Sequence, residues 1–301
     1  MLKLTISSSA DGSAHGSQGQ LRRYPFTFTC KEGKKRCQEP LLSKGKPENS
    51  HKFTTCNSLR YVNTATHDAH QGGYAMGRPR RVTTGGIVYH VLNRATARSQ
   101  IFHSPADYRA FERLLIEARN RFAMRLLAFC IMPNHWHMAL WPRKDNDLSR
   151  FTGWLTLTHT QRWHAFRRTA GEGHLYQGRF KSFLVESDAH LLTVCRYVER
   201  NSLRANLVQR AENWRWGSLW HRHHRASEAS ALLDHWPVKI PGDWTRYVNQ
   251  PQTPEELNVL RNCVNRGRPF GSATWVSNTI ERYGLQTTLR ARGRPPKTHN
   301  E

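Results

Sequence analysis

The stretch RLLAFCIMPNHWHMALW, Arg125 to Trp141, holds two apolar runs either side of Pro133-Asn134. Pro-Asn between apolar runs is a turn signal, so Arg125–Ile131 and His135–Trp141 are expected to pair as a β-hairpin. Its second arm carries His135 and His137. Alternate residues of a strand share a face, so both imidazoles point one way while Trp136 and Met138 point the other. Two imidazoles on one face are half of a metal site, yet with 17 histidines in 301 residues one H-x-H pair is ordinary chance. Buried structural histidines are an equally good reading of the motif alone. His221-Arg222-His223, a second H-x-H in a polar run, is assigned to a solvated basic surface.

Working outward from the hairpin, a strand is expected at Ile87–Asn93. A helix is entered at Ser104-Pro105, with Tyr108, Phe111, Leu114, Leu115 and Ala118 at helical spacing. Another helix runs from Asp147 to about Arg168, and a Gly-rich loop then feeds a strand through Phe180, Phe183 and Val185. Ser187-Asp188 is an N-cap signal for a further helix whose apolar stripe is residues 191, 192, 195 and 198. On that helix Tyr197 and Asn201 stand four residues apart, neighbours beside the stripe, where a phenol and an amide oxygen converge. Strands alternating with helices around a hairpin predict an α+β fold, one sheet with helices packed on it.

Composition points to a polyanionic partner. Lys+Arg number 46 against 22 Asp+Glu, a net charge of +24, and there are 10 tryptophans. Nucleic acid leads the candidates, ahead of an anionic lipid surface. No apolar run reaches membrane-span length. Six cysteines at irregular spacing, with no C-x-x-C, suggest neither a zinc ribbon nor a disulfide framework. No signal peptide is expected, and reduced thiols fit a cytoplasmic, nucleoid-associated protein.

Three regions are expected. Residues 1–75 carry +6 of the charge without helix or strand periodicity and read as a disordered or spuriously translated extension, with Met76 as an alternative start. Residues 76–225 form the patterned domain, and 226–301 a basic C-terminal extension. Candidate phosphate contacts are Arg80 and Arg81 in GRPRR (77–81), Arg179 and Lys181, the cluster Arg162, Arg167 and Arg168, and Arg292 and Arg294 in ARGRPPK (291–297). The last has an Arg-Gly-Arg-Pro core of the kind that lies in an A·T-rich minor groove. Trp163 and Tyr176 are candidates for stacking on unpaired bases.

From about Gly77 to Lys297 the chain resembles the IS200-like tyrosine transposases of the HUH nuclease class, especially their REP-associated branch. The resemblance rests on ordered segments: GGIVYHVLNRA (85–95), IMPNHWHMALWP (131–142), GHLYQGRFKSFLVE (173–186), RYVERNSLRANLV (196–208), NWRWGSLW (213–220) and NRGRPFGSATWV (265–276). It implies a ferredoxin-like antiparallel sheet and Mg2+ or Mn2+ held by His135, His137 and Asn201, with Tyr197 as the nucleophile. A Tyr197–DNA bond would free a 3′-OH, with the positive field of Arg196, Arg200 and Arg204 expected to assist loss of the phenol proton. The partner it implies is single-stranded DNA with a hairpin, such as a REP-like repeat. Relatives commonly follow the amide ligand with Pro, whereas Ser202 stands here. A monomer is expected, with a homodimer as the alternative.

Two other readings stand beside this one. A catalytically silent, sequence-specific DNA-binding regulator on the same scaffold would keep the binding without the chemistry. A replication-initiator or relaxase nuclease is disfavoured by the single tyrosine on the Tyr197 helix and by the lack of a G-x-x-x-x-G-K-[ST] loop.

Overall fold

The computed structural model describes residues 81–224 and 232–290. The N-terminal extension (1–75), Arg80, Arg292, Arg294 and the ARGRPPK segment lie outside the described residues.

Four strands and two helices alternate in the order β1 (Val88–Arg94), α1 (Pro105–Phe122), β2 (Arg125–Met132), β3 (His135–Trp141), α2 (Asp147–Arg167) and β4 (Lys181–Val185). The strands pair in the order β2-β3-β1-β4. Every pairing is antiparallel. This is the ferredoxin-like arrangement expected from the resemblance. The hairpin turns at Pro133-Asn134 as read, with Met132 facing His135 across it. Helix α1 begins at Pro105, and the Asp107 carboxylate reaches back to the N–H groups of His103 and Ser104. That satisfies donors the first turn leaves without intrahelical partners.

The alternation of side chains sorts the sheet into two faces, each with its own core. One face contributes Val91, Phe129, Ile131, Trp136, Met138 and Leu140 to a core with α1 and α2. The other contributes Val88, Ala128, Cys130, Met132, Ala139, Phe183 and Val185, and packs against α3 (Ala189–Glu199). A bulge between Leu126 and Ala128 inserts Leu127 and keeps the two faces in phase with β3. His135 and His137 belong to the α3 side.

Helix α3 is followed, after Arg200, by the short α4 (Asn201–Arg204). Ser202, the departure from the family pattern, is fully buried at the second position of α4. Helix α5 (Ser218–His223) follows. It corrects the assignment of the second H-x-H to a solvated surface for His221, which is 1% exposed and bonds Glu112 at 2.8 Å, while His223 is exposed. The residues after 231 supply α6 (Trp244–Asn249), α7 (Pro254–Arg266) and α8 (Ala273–Tyr283). They pack on the sheet rather than trail from it: Leu233 bridges Leu126, Phe270 bridges Val185, and Arg119 pairs with Asp234 at 2.9 Å. Among the described residues no helix is long and apolar enough to cross a membrane.

Candidate active site

On the α3 face of the sheet, β3 places His135 and His137 two residues apart, their ring centroids separated by 5.0 Å. Each ring has its Nδ1 occupied. Asn134 Nδ2 donates to the Arg98 carbonyl at 2.9 Å, which turns its Oδ1 toward His135 Nδ1 at 2.5 Å. An amide oxygen only accepts, so His135 carries its proton on Nδ1 and keeps a lone pair on Nε2. His137 Nδ1 lies 2.9 Å from His90 Nε2. Two neutral imidazoles at that distance share one proton, and with His137 donating, its Nε2 is likewise a free lone pair. Nδ1 held by a neighbour with Nε2 open is how ligating histidines are commonly oriented.

All three imidazoles are held neutral. Burial pushes His135 down to about 3, with the charges of Arg94 and Arg204 adding to the effect. His90 is pushed to about 3 by burial and then by Arg204. His137 falls well below the usual histidine value through burial, its two histidine neighbours, Arg204 and Arg94.

Tyr197, near the C-terminal end of α3, faces this cluster. Its ring centroid stands 5.8 Å from that of His137 and 5.8 Å from that of His90, edge-on to both. The helical stripe led to the expectation that Tyr197 and Asn201 would sit beside the core. Instead they are 6% and 5% exposed. The cause is the chain beyond them: Arg204 folds back with its guanidinium carbon 4.2 Å from the centre of the Tyr197 ring. Its Nη2 donates to Asn201 Oδ1 at 2.7 Å. Asn201 Nδ2 is buried without a partner.

The three arginines read together in the sequence part company here. Arg196 is 4% exposed and donates to the carbonyls of Gln250 and Pro251, each at 2.9 Å. Arg200 donates to the carbonyls of Val248 and Asn249, at 2.9 and 2.5 Å. Both clamp the end of α6, and Arg204 alone of the three reaches the histidines. Tyr176, read as a base-stacking residue, is corrected to a core residue. Its hydroxyl lies 3.1 Å from Trp136 Nε1 and 2.7 Å from His159 Nδ1. Trp163 is half-buried and spends its N–H on the Ile101 carbonyl. Arg162 pairs with Glu117 and Arg167 with Asp107.

His90 is the site residue the sequence reading missed. It stands in the quoted segment GGIVYHVLNRA as the one imidazole inside an apolar strand, a signal in itself. Its meaning depends on register: β1 sets Leu92 opposite His137, which brings His90 opposite Ala139 on the same face.

Three more ligand-type side chains, Glu186, Asp188 and His190, have donor atoms within 4.8 Å of one another. They lie at the other end of α3, roughly 12 Å along the helix from Tyr197. Asp188 caps α3 by accepting from the His190 N–H at 2.8 Å, and Glu186 accepts from the Ser272 N–H at 2.6 Å.

Residues 83–201 match the family model described as Transposase IS200 like. That segment is similar to IS200-like transposases. The match runs from just before β1 to Asn201, so it encloses the histidine pair and Tyr197. No curated protein matches the chain. Among solved structures, the chain is similar to the REP-associated tyrosine transposase bound to a REP hairpin. The two share 18% identity over 55% of this chain and 94% of that one, with a TM-score of 0.42. It is also similar to a candidate transposase from Deinococcus radiodurans R1, at 17% identity over 41% of this chain and 96% of that one, TM-score 0.31.

Proposed function

We propose that the transposase domain cuts and rejoins single-stranded DNA beside a hairpin through a covalent 5′-phosphotyrosine on Tyr197, and that it belongs to the REP-associated branch. The observation that carries this reading is the Tyr197 ring standing 5.8 Å from the rings of His137 and His90, with His137 in turn 5.0 Å from His135.

In the proposed step the Tyr197 Oη attacks the scissile phosphorus while the P–O3′ bond breaks. The phosphate is left on tyrosine and the departing 3′ oxygen collects a proton. One phosphodiester is exchanged for another, so no nucleotide triphosphate is required, and attack by a DNA 3′-OH on the phosphotyrosine reverses the step onto a new strand. His135 and His137 offer two Nε2 lone pairs and Asn201 a buried amide oxygen, a donor set that fits one small divalent cation such as Mg2+ or Mn2+. Such a cation, when bound, neutralises charge developing on the phosphate. His90 and Asn134 keep the two rings turned and neutral, so their lone pairs are ready without reorganisation.

The surface suits a polyanion. A cleft of about 560 Å³ opens between the β1–β4 edge and the ends of α7 and α8, with Arg81, Arg94, Arg179, Lys181 and Arg266 on its walls. Arg81 stacks on Phe180 at 4.0 Å and Arg179 is exposed. Arg81, Arg179 and Lys181 were named from the sequence as phosphate contacts, and the cleft gathers them along one path toward Arg94, which pairs across the sheet with His135.

Cleavage of labelled single-stranded DNA carrying its cognate hairpin should stop in EDTA and return with added Mg2+ or Mn2+. Undiminished cleavage in EDTA would remove the metal from the account, and binding without cleavage under every metal condition would favour the silent regulator.

A further inference from the structure

We propose that Arg204 is a competitor for the ligand oxygen of Asn201, and that metal binding releases its guanidinium to the scissile phosphate. The inference rests on the reading of His135, His137 and Asn201 as the metal ligands.

The geometry begins with one oxygen wanted twice. A guanidinium has only donors, so the Asn201 amide must present Oδ1 to Arg204, and the 2.7 Å contact fixes that orientation. The cost is visible on the other side of the amide, where Nδ2 is buried without a partner. A divalent cation held with His135 and His137 needs the same Oδ1. A carbonyl oxygen has a second lone pair, but a guanidinium left on it would sit one hydrogen-bond length from a ligand of a dication, in a buried site where like charges repel strongly. Cation and guanidinium therefore exclude each other.

What Arg204 does when displaced follows from where it already lies. Its second anchor is weak, a 3.4 Å contact from Nη1 to Gln252 Oε1. Its guanidinium covers the Tyr197 ring. A phosphate positioned for attack by the Tyr197 Oη must approach within reach of the same guanidinium. Released from Asn201, Arg204 offers two parallel N–H donors to that phosphate while staying stacked on the ring. The residue thus holds the ligand oxygen that a cation would take and couples metal loading to substrate grip. A purely structural arginine would do neither, and Arg196 and Arg200, which donate to backbone carbonyls at the end of α6, show what that looks like in the same helix pair.

The test uses opposite signs in two readouts on the full-length protein. Mn2+ titration of the metal-free protein, followed by the electron paramagnetic resonance signal of free Mn2+, should show Arg204→Met binding about 10-fold tighter than wild type. At saturating Mn2+, the rate of covalent adduct formation with hairpin DNA should fall at least about 10-fold. In an Asn201→Ala background the Arg204→Met change should no longer alter Mn2+ affinity, which isolates the pairwise coupling. Arg204→Lys, which keeps charge and stem but loses the planar fork, covers a folding failure of the first variant and should tighten Mn2+ by a smaller factor, about 3-fold. Unchanged or weakened Mn2+ binding in a folded Arg204 variant, alongside loss of binding in His135→Ala, would overturn the proposal and leave the metal site standing. Mn2+ binding indifferent to His135→Ala would instead overturn the metal site itself, and this proposal with it.

Discussion

His137→Ala is expected to lower DNA cleavage by at least about 10³-fold while leaving hairpin affinity within a few-fold of wild type. The two quantities separate because different parts of the molecule supply them. His137 is a neutral, buried imidazole that brings no charge to the DNA, whereas binding depends on a chain whose net charge is +24 and on the basic cleft beside β4. On the proposed reading cleavage loses more than one ligand, because His137 is also the partner of His90 and an edge-on neighbour of Tyr197. Gel-shift titration and single-turnover cleavage on one protein preparation measure both. Equal losses of affinity and cleavage would place His137 in DNA binding or in the fold, not in the chemistry.

The largest effect on stability is expected far from the histidines, at Glu199. This carboxylate is 2% exposed at the end of α3. Its Oε1 accepts from Ser218 at 2.5 Å and from Arg222 at 3.2 Å, and its Oε2 from the Trp244 indole at 2.7 Å. One side chain thus ties α3 to α5 and α6. Glu199→Ala leaves Arg222 without its buried counter-charge and an indole N–H without an acceptor, a change worth about 3–5 kcal/mol. Chemical denaturation should show the loss as a shifted midpoint. Glu199→Gln keeps two of the three contacts in principle but not the charge, and should fall between. A loss below about 1 kcal/mol for the alanine variant would mean that α5 and α6 are held to α3 mainly by their apolar contacts.

The sequence reading reached furthest where a local signal and a periodicity agreed. The β2–β3 hairpin has its turn at Pro133-Asn134, and Asn134 also orients His135, a second duty that no turn propensity announces. Helix α1 was legible from Ser104-Pro105 and its stripe, and α3 from Asp188. Tyr197 and Asn201 were picked out by spacing and by the resemblance. Their burial was not, because it depends on Arg204 folding back from the next helix. His90 required strand register, which sets it opposite Ala139 and so within hydrogen-bonding distance of His137, 47 residues away in the chain. The polar look of His221-Arg222-His223 misled for a similar reason: His221 finds its partner, Glu112, on α1, and burial of a polar side chain follows the partner and not its neighbours in sequence. Helices α7 and α8 carry caps of their own, Thr253 with Glu256 and Ser272 with Trp275, but a basic, Pro-containing tail drew attention to charge over capping.

The central claim is that Tyr197 becomes covalently joined to DNA, and the most direct measurement looks for that bond. Wild-type protein incubated with 5′- or 3′-labelled single-stranded DNA bearing the cognate hairpin, in Mg2+ or Mn2+, should give a denaturant-resistant adduct that retains only the strand 3′ to the cut. Peptide mass spectrometry should place the phosphate on Tyr197. Tyr197→Phe deletes one hydroxyl while leaving the ring to pack against His90, His137 and Arg204. That variant should fold, bind the hairpin, and form no adduct. An adduct that persists in Tyr197→Phe would contradict the account.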